Sequence, residues 1–193
     1  MRLKIKGFEF FITYPALCLF SALIIVNFDY VYCLSSVIIH ELAHLALAAY
    51  FKTSITGIKI SLYDIEIVEK SRHIIDYKKD LIITAAGPLA NFVLFAYYYH
   101  FDVKFAWVNL FIGAFNLLPA ANLDGGQILY LILSKRLSVK TTANIITIIT
   151  ICVSAILFFA GILVLLESKY NFSLLLICFY LILSLFYKQD KFI

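Results

Sequence analysis

The chain has 193 residues, of which 63% are hydrophobic and only 15% charged, with a formal net charge of +4. That composition excludes an ordinary soluble globular domain and places the chain with the polytopic membrane proteins. The basic excess does not point to nucleic acid either, because the lysines and arginines are distributed as the loops of a membrane bundle would have them.

Six apolar segments have the length and composition of membrane spans: Phe8–Phe28, Tyr30–Phe51, Leu81–Tyr99, Phe105–Leu133 with a break, Ala143–Leu166 and Phe172–Tyr187. If they alternate in direction, only Lys104 and Lys169 among the basic residues fall in outside loops, and those loops also carry Asp29, Asp102 and Glu167. The asymmetry predicts a multi-pass protein with both termini in the cytoplasm. No small-residue cleavage site follows the first apolar stretch, so it is expected to be a permanent span. The fold class expected is therefore all-α and polytopic, one membrane domain over residues 1–193, with six transmembrane helices and no segment for a further soluble domain.

The second span carries His40-Glu41-Leu42-Ala43-His44. On a helix, residues four apart share a face, which suits two imidazoles meeting one Zn²⁺ with Glu41 beside them as a candidate base. A carboxylate inside a span costs about 2.5–3.5 kcal/mol on insertion scales, so its presence argues for function. The bland alternative, two histidines hydrogen-bonding across a polar seam, leaves Glu41 unexplained.

After this span, Ile58, Ile60 and Leu62 alternate with Lys59 and Ser61, and Ile65 and Ile67 alternate with Asp64 and Glu66. This period of two about a turn near Tyr63-Asp64 predicts a cytoplasmic-side β-hairpin. It is either a docking strand for substrate or a surface hairpin with no such role. The stretch from Lys70 to Asp80 mixes both charges and reads as a solvated connector. In the third span, Ala85, Ala86 and Gly87 allow close helix packing, and Asn91 offers an amide to a substrate carbonyl or to a neighbouring helix.

A catalytic zinc site usually has three protein ligands, and the third candidate is Asp124, deep in the fourth segment. Pro119 and the Gly125-Gly126 pair weaken the helix around it, so this span should be unwound there, lining a wet cavity. Asn116 and Asn122 either position substrate or satisfy carbonyls freed at the break. The remaining histidines, His73 and His100, read as surface residues. Tyr97, Tyr98, Tyr99 and Trp107 form an aromatic belt, and Cys18, Cys33, Cys152 and Cys178 lack metal-ligand spacing.

Together, the HELAH sequence at 40–44, Gly87-Pro88-Leu89-Ala90-Asn91 and Asn116-x-x-Pro119-x-x-x-x-Asp124-Gly125 resemble the three motifs of the site-2 protease family of intramembrane zinc metalloproteases. The resemblance covers about residues 30–133, the family's three-helix catalytic core. It implies one zinc per chain held by His40, His44 and Asp124, Glu41 as general base, and Asn91 or Asn116 as groups that position substrate. It implies a bacterial cell-membrane enzyme that cuts a membrane-embedded or membrane-associated protein near the cytoplasmic side, possible membrane regulatory proteins, and no nucleic acid. One span before the core and two after it look most like the sporulation branch of the family, whose members process a pro-sigma factor. The PDZ and CBS domains of other members are not expected here, and Asn122 stands where a second proline is common. A substrate strand that adds to the hairpin of Ile58, Ile60, Leu62, Ile65 and Ile67 would present its backbone to the site. Two other classes fit parts of the pattern. A metal or proton transporter would use His40, His44 and Asp124 as a relay but has no use for Glu41 as a base, and a catalytically dead binding protein would keep only the fold.

Overall fold

The computed structural model describes residues 2–5, 8–12, 30–53, 55–60, 65–69, 76–121, 123–169, 172, 174–179 and 181–182, the strand segments through their backbone. The chain divides into two compact units, Met1–Gly113 and Ala114–Ile193.

The first unit holds a four-stranded sheet and the helices that follow it. Strands β1 (Arg2–Ile5), β2 (Phe8–Ile12), β3 (Ile55–Ile60) and β4 (Ile65–Glu69) lie in the order β1-β2-β3-β4. β1 and β2 are antiparallel, β2 and β3 parallel, and β3 and β4 antiparallel, with Ile58 opposite Ile67 and Ile60 opposite Ile65. Two sequence expectations change here. Residues 8–12 are strand and not the start of a first span; the run Phe8-Glu9-Phe10-Phe11-Ile12 is aromatic and β-branched around a carboxylate, which suits a sheet better than lipid. The rest of that span, the last span beyond residue 182, Leu62, the turn near Tyr63-Asp64, residues 70–75 with His73, and Asn122 lie outside the described residues. In addition, β3 is paired on both sides, so the main chain at Ile58 and Ile60 already serves β2 and β4. Among the described residues, the hairpin offers an outer edge only on β4, at Ile65–Glu69.

Helix α1 (Tyr30–Tyr50) follows the expected second span. It ends where Lys52 adopts φ 54° and Thr53 donates to Ala48 O through both its backbone N–H (3.0 Å) and its hydroxyl (2.8 Å). Helix α2 (Tyr77–Tyr98) starts four residues before the apolar run, because Asp76 caps it by accepting from the backbone N–H groups of Lys78 and Lys79 at 3.3 and 3.5 Å. Pro88 lies inside α2, where it removes one backbone donor. Helix α3 (Val103–Asn116) begins after a short connection in which Asp102 accepts from Phe105 N–H at 3.1 Å. The boundary between the units falls inside this helix.

In the second unit, α3 stops at Asn116 and α4 (Asp124–Leu133) restarts at Asp124, so the fourth segment is broken where Pro119 and the glycine pair predicted. The intervening backbone doubles against the start of α4. A Cβ on Gly125 would overlap the carbonyl group of Leu117 and the carbonyl oxygen of Leu118, and one on Gly126 would overlap the carbonyl group of Ala120. Only hydrogen fits at these two positions. Helix α5 (Val139–Ser168) is capped by Ser138, which accepts from Thr141 N–H at 3.2 Å, and closes at Lys169 with φ 64°. Its Thr150 hydroxyl donates to Ile146 O at 2.7 Å and accepts from Ala121 N–H at 2.9 Å, taking up one of the donors that the break releases. Ala120, Leu123 and Leu181 form the core of this unit. Among the described residues, α1, α2 and α5 are long and apolar enough to cross a membrane.

Candidate metal centre

The site begins with a stripe on α1. Its buried residues are Ser36, His40, His44 and Ala48, each one turn after the last. The opposite faces, with Ile38 and Leu42, are exposed, as a helix facing lipid would have them. The stripe packs on α2, whose buried residues are Ala86, Gly87, Pro88 and Asn91. Small residues bring the two backbones close in this interface. At Gly87 the approach reaches the two imidazoles themselves: a Cβ there would lie 2.6 Å from His40 Nε2 and still closer to His44 Nε2.

Both imidazoles are held through their Nδ1 atoms. His44 Nδ1 donates to Ile83 O at 2.7 Å, in the turn of α2 just before Pro88. His40 Nδ1 meets Asn91 Oδ1 at 2.5 Å. A carbonyl oxygen and an amide oxygen are acceptors only, so each ring carries its proton on Nδ1. Both Nε2 atoms then present lone pairs, and they face each other at 3.2 Å with the rings nearly perpendicular at 82°. Two lone pairs pointed at one another repel. A cation between them turns that repulsion into two bonds, and imidazole nitrogen is a preferred zinc donor whose second ring N–H commonly goes to a carbonyl. The donor set therefore fits a zinc ion.

Glu41 follows His40 on α1 and is partly buried. Asp124 is the first residue of α4, also partly buried, in the turn where the helix dipole favours a negative charge. His40 and His44 belong to the first unit and Asp124 to the second. Asn116 ends α3, at the lip of the break. Of the two roles open to Asn91, the structure gives it the interhelical one. The residue is 0% exposed, and its amide hydrogens go to Ser36 Oγ at 3.0 Å and Asn109 Oδ1 at 2.9 Å. No donor is left over for a substrate carbonyl.

Sequence reasoning passed over Ser36 and Asn109, both 0% exposed and both in this network. The available signals were weak but present: Ser36 stands one turn before His40, and Asn109 is a lone amide in an apolar run. His100 is exposed. Cys33 and Cys152 are exposed and Cys178 is buried, all with free thiols.

Comparison with known proteins agrees with this chemistry. The profile of peptidase family M50 matches residues 98–160. A zinc metalloprotease of Methanocaldococcus jannaschii is 34% identical over 128 residues, covering 57% of this chain and 37% of the relative. Stage IV sporulation protein FB of Bacillus subtilis is 34% identical over 113 residues, covering 52% of this chain and 38% of the relative. The matches thus span little more than a third of the length of these curated relatives. Among solved structures, a site-2 protease from Methanocaldococcus jannaschii superposes with a TM-score of 0.67 at 26% identity, over 94% of this chain and 91% of that one.

Proposed function

We propose that the chain is an intramembrane zinc endopeptidase of the site-2 protease type, a reading supported by its similarity to peptidase family M50 and to the zinc metalloprotease and site-2 protease above. The observation that carries the proposal is the pair of imidazole Nε2 atoms held 3.2 Å apart on a buried helix stripe. His40 and His44 are ligands in this reading, and Asp124 is the third. Zinc, when bound, polarises the scissile carbonyl and lowers the pKa of water to about 7. Glu41 is the general base, taking the proton of the attacking water and passing it to the leaving amine. Ile83 O and Asn91 keep the imidazoles in the tautomer that binds metal. Asn116, at the end of α3, is the remaining amide for orienting substrate.

The substrate is a membrane-embedded or membrane-associated protein cut near the cytoplasmic side. The distribution of lysine and arginine supports cytoplasmic termini in a bacterial cell membrane. The resemblance of the motifs to the sporulation branch supports a pro-sigma factor as substrate and membrane proteins as regulators, and similarity to a protein named for stage IV of sporulation is in keeping with it. An extended substrate segment would add to β4, the edge the hairpin leaves open.

Co-expression of the full chain with a membrane-associated pro-sigma factor tests this directly. The wild type should truncate the precursor. Glu41→Gln should keep its zinc while cleavage falls about 10²–10⁴-fold, and Asp124→Ala should lose zinc. Cleavage near wild-type rate by Glu41→Gln would end the mechanism, and full zinc retention in Asp124→Ala would remove that residue from the ligand set.

A further inference from the structure

The hydrogen bonds behind His40 run in one direction only, and they start from the backbone of α3. Asn109 Nδ2 donates to Phe105 O, one turn earlier on the same helix, at 2.9 Å. That fixes which end of the Asn109 amide points where, leaving Oδ1 as an acceptor toward α1 and α2. Two donors converge on it: Ser36 Oγ at 2.7 Å and Asn91 Nδ2 at 2.9 Å. The second hydrogen of Asn91 Nδ2 goes to Ser36 Oγ at 3.0 Å. With its nitrogen so committed, Asn91 can turn only its oxygen to His40 Nδ1. Reversing the Asn91 amide would set an oxygen against Asn109 Oδ1 and a donor against the imidazole.

We infer that Asn109 is a positioning residue for His40: acting through Asn91, it sets the orientation and the Nδ1–H tautomer that bare Nε2 toward the metal position. A plain packing role for the three polar side chains, as glue between helices in lipid, is the competing account. It has no requirement for direction. The observed network has one, because each amide is oriented by the acceptor or donor behind it and the first is oriented by the main chain. The network is also closed to water, since Ser36, Asn91 and Asn109 are 0% exposed. Buried polar networks of this kind hold their geometry because any misplaced member leaves an unpaired group in a low-dielectric interior. The effect on the metal rests on the zinc reading above; the tautomer does not.

The test uses the full chain in detergent micelles, with ¹⁵N-labelled histidine and zinc as the probe. In the metal-free wild type at about pH 8, His40 should show a protonated Nδ1 and a bare Nε2. The opposite tautomer would overturn the inference without any variant being made. Asn109→Leu, which keeps the branched outline of asparagine, and Asn109→Ala, which adds no bulk, both remove the acceptor. Each should give a mixture of His40 tautomers, and zinc affinity measured against a competing chelator should fall about 10–100-fold, the usual effect of losing a group that supports a metal ligand. Because Asn109 acts through Asn91, adding Asn109→Ala to Asn91→Ala should cost little further affinity. Unchanged His40 signals with unchanged zinc affinity in the Asn109 variants would make the residue a packing element only, even if the melting temperature drops. If the wild type binds no zinc while the variants still scramble the His40 tautomer, the zinc reading fails and the positioning role stands.

Discussion

Gly87→Ala is the sharpest perturbation that the geometry offers. In an exposed helix interior this change stabilises by roughly 0.5–1 kcal/mol, because alanine loses less backbone freedom on folding. Here the added methyl meets the imidazole rings of His40 and His44. His40 Nε2 would have to retreat by roughly 0.9 Å, from 2.6 Å to the ~3.5 Å of ordinary contact, while a metal site tolerates displacements of only about 0.5 Å. The rings have little room to yield, since their Nδ1 atoms are tied to Asn91 and Ile83. Overpacking typically costs about 1–3 kcal/mol, so helix propensity offsets only part of it, and the net change in stability should be roughly 0–2.5 kcal/mol unfavourable. Zinc affinity should suffer more, by about tenfold or greater, because the ligand atoms themselves are displaced. Gly113→Ala is the control: its Cβ would sit 3.1 Å from Asn91 Cβ and 3.3 Å from Pro88 O, tight but away from the ring nitrogens. Chelator competition and thermal unfolding on both variants separate the effects. Wild-type zinc affinity in Gly87→Ala would refute the placement of the imidazoles against α2.

Three further outcomes are expected. Thr150→Val keeps the shape but strands the Ala121 N–H, which should cost about 1–3 kcal/mol and speed limited proteolysis between residues 117 and 123; equal stability and equal proteolysis would show that the break holds without α5. The Lys79 ammonium hydrogen-bonded to Asp76 at 3.3 Å holds that exposed carboxyl below the usual carboxylate range. Since the folded-state pKa is the lower one, the cap contributes above the unfolded pKa of about 3.9 and fades as pH falls through the folded value; Asp76→Asn should flatten a small acid-side dependence of α2 unfolding, and an unchanged pH profile would exclude the cap as its source. Cysteine crosslinks to substrate should alternate with a period of two along Ile65–Glu69 and be sparse along Ile55–Ile60, whereas equal crosslinking of both strands would rule out addition at the β4 edge.

The parts of this fold that could be read from the sequence are those set by local rules. Apolar runs of bilayer length gave α1, α2 and α5, and Pro119 with Gly125-Gly126 gave the interruption between α3 and α4. The i, i+4 spacing alone was enough to put His40 and His44 on one face. Expectation failed where a choice depends on a distant partner. The run at residues 8–12 joins further apolar sequence, and periodicity cannot separate a short buried strand from the end of a helix. What decides it is parallel pairing with residues 57–60, which are far away in the chain. Asn91 shows the same limit in a single side chain. Its amide is equally suited to a substrate or to a neighbouring helix, and the choice is made by Ser36, Asn109 and His40, contributed by two other helices. A motif can name the residues that meet the metal, because those are chosen for their chemistry. The residues that hold such side chains in place are chosen for where the fold puts them, and at position 109 the sequence shows only a lone amide in an apolar run, with nothing to say which side chain it faces.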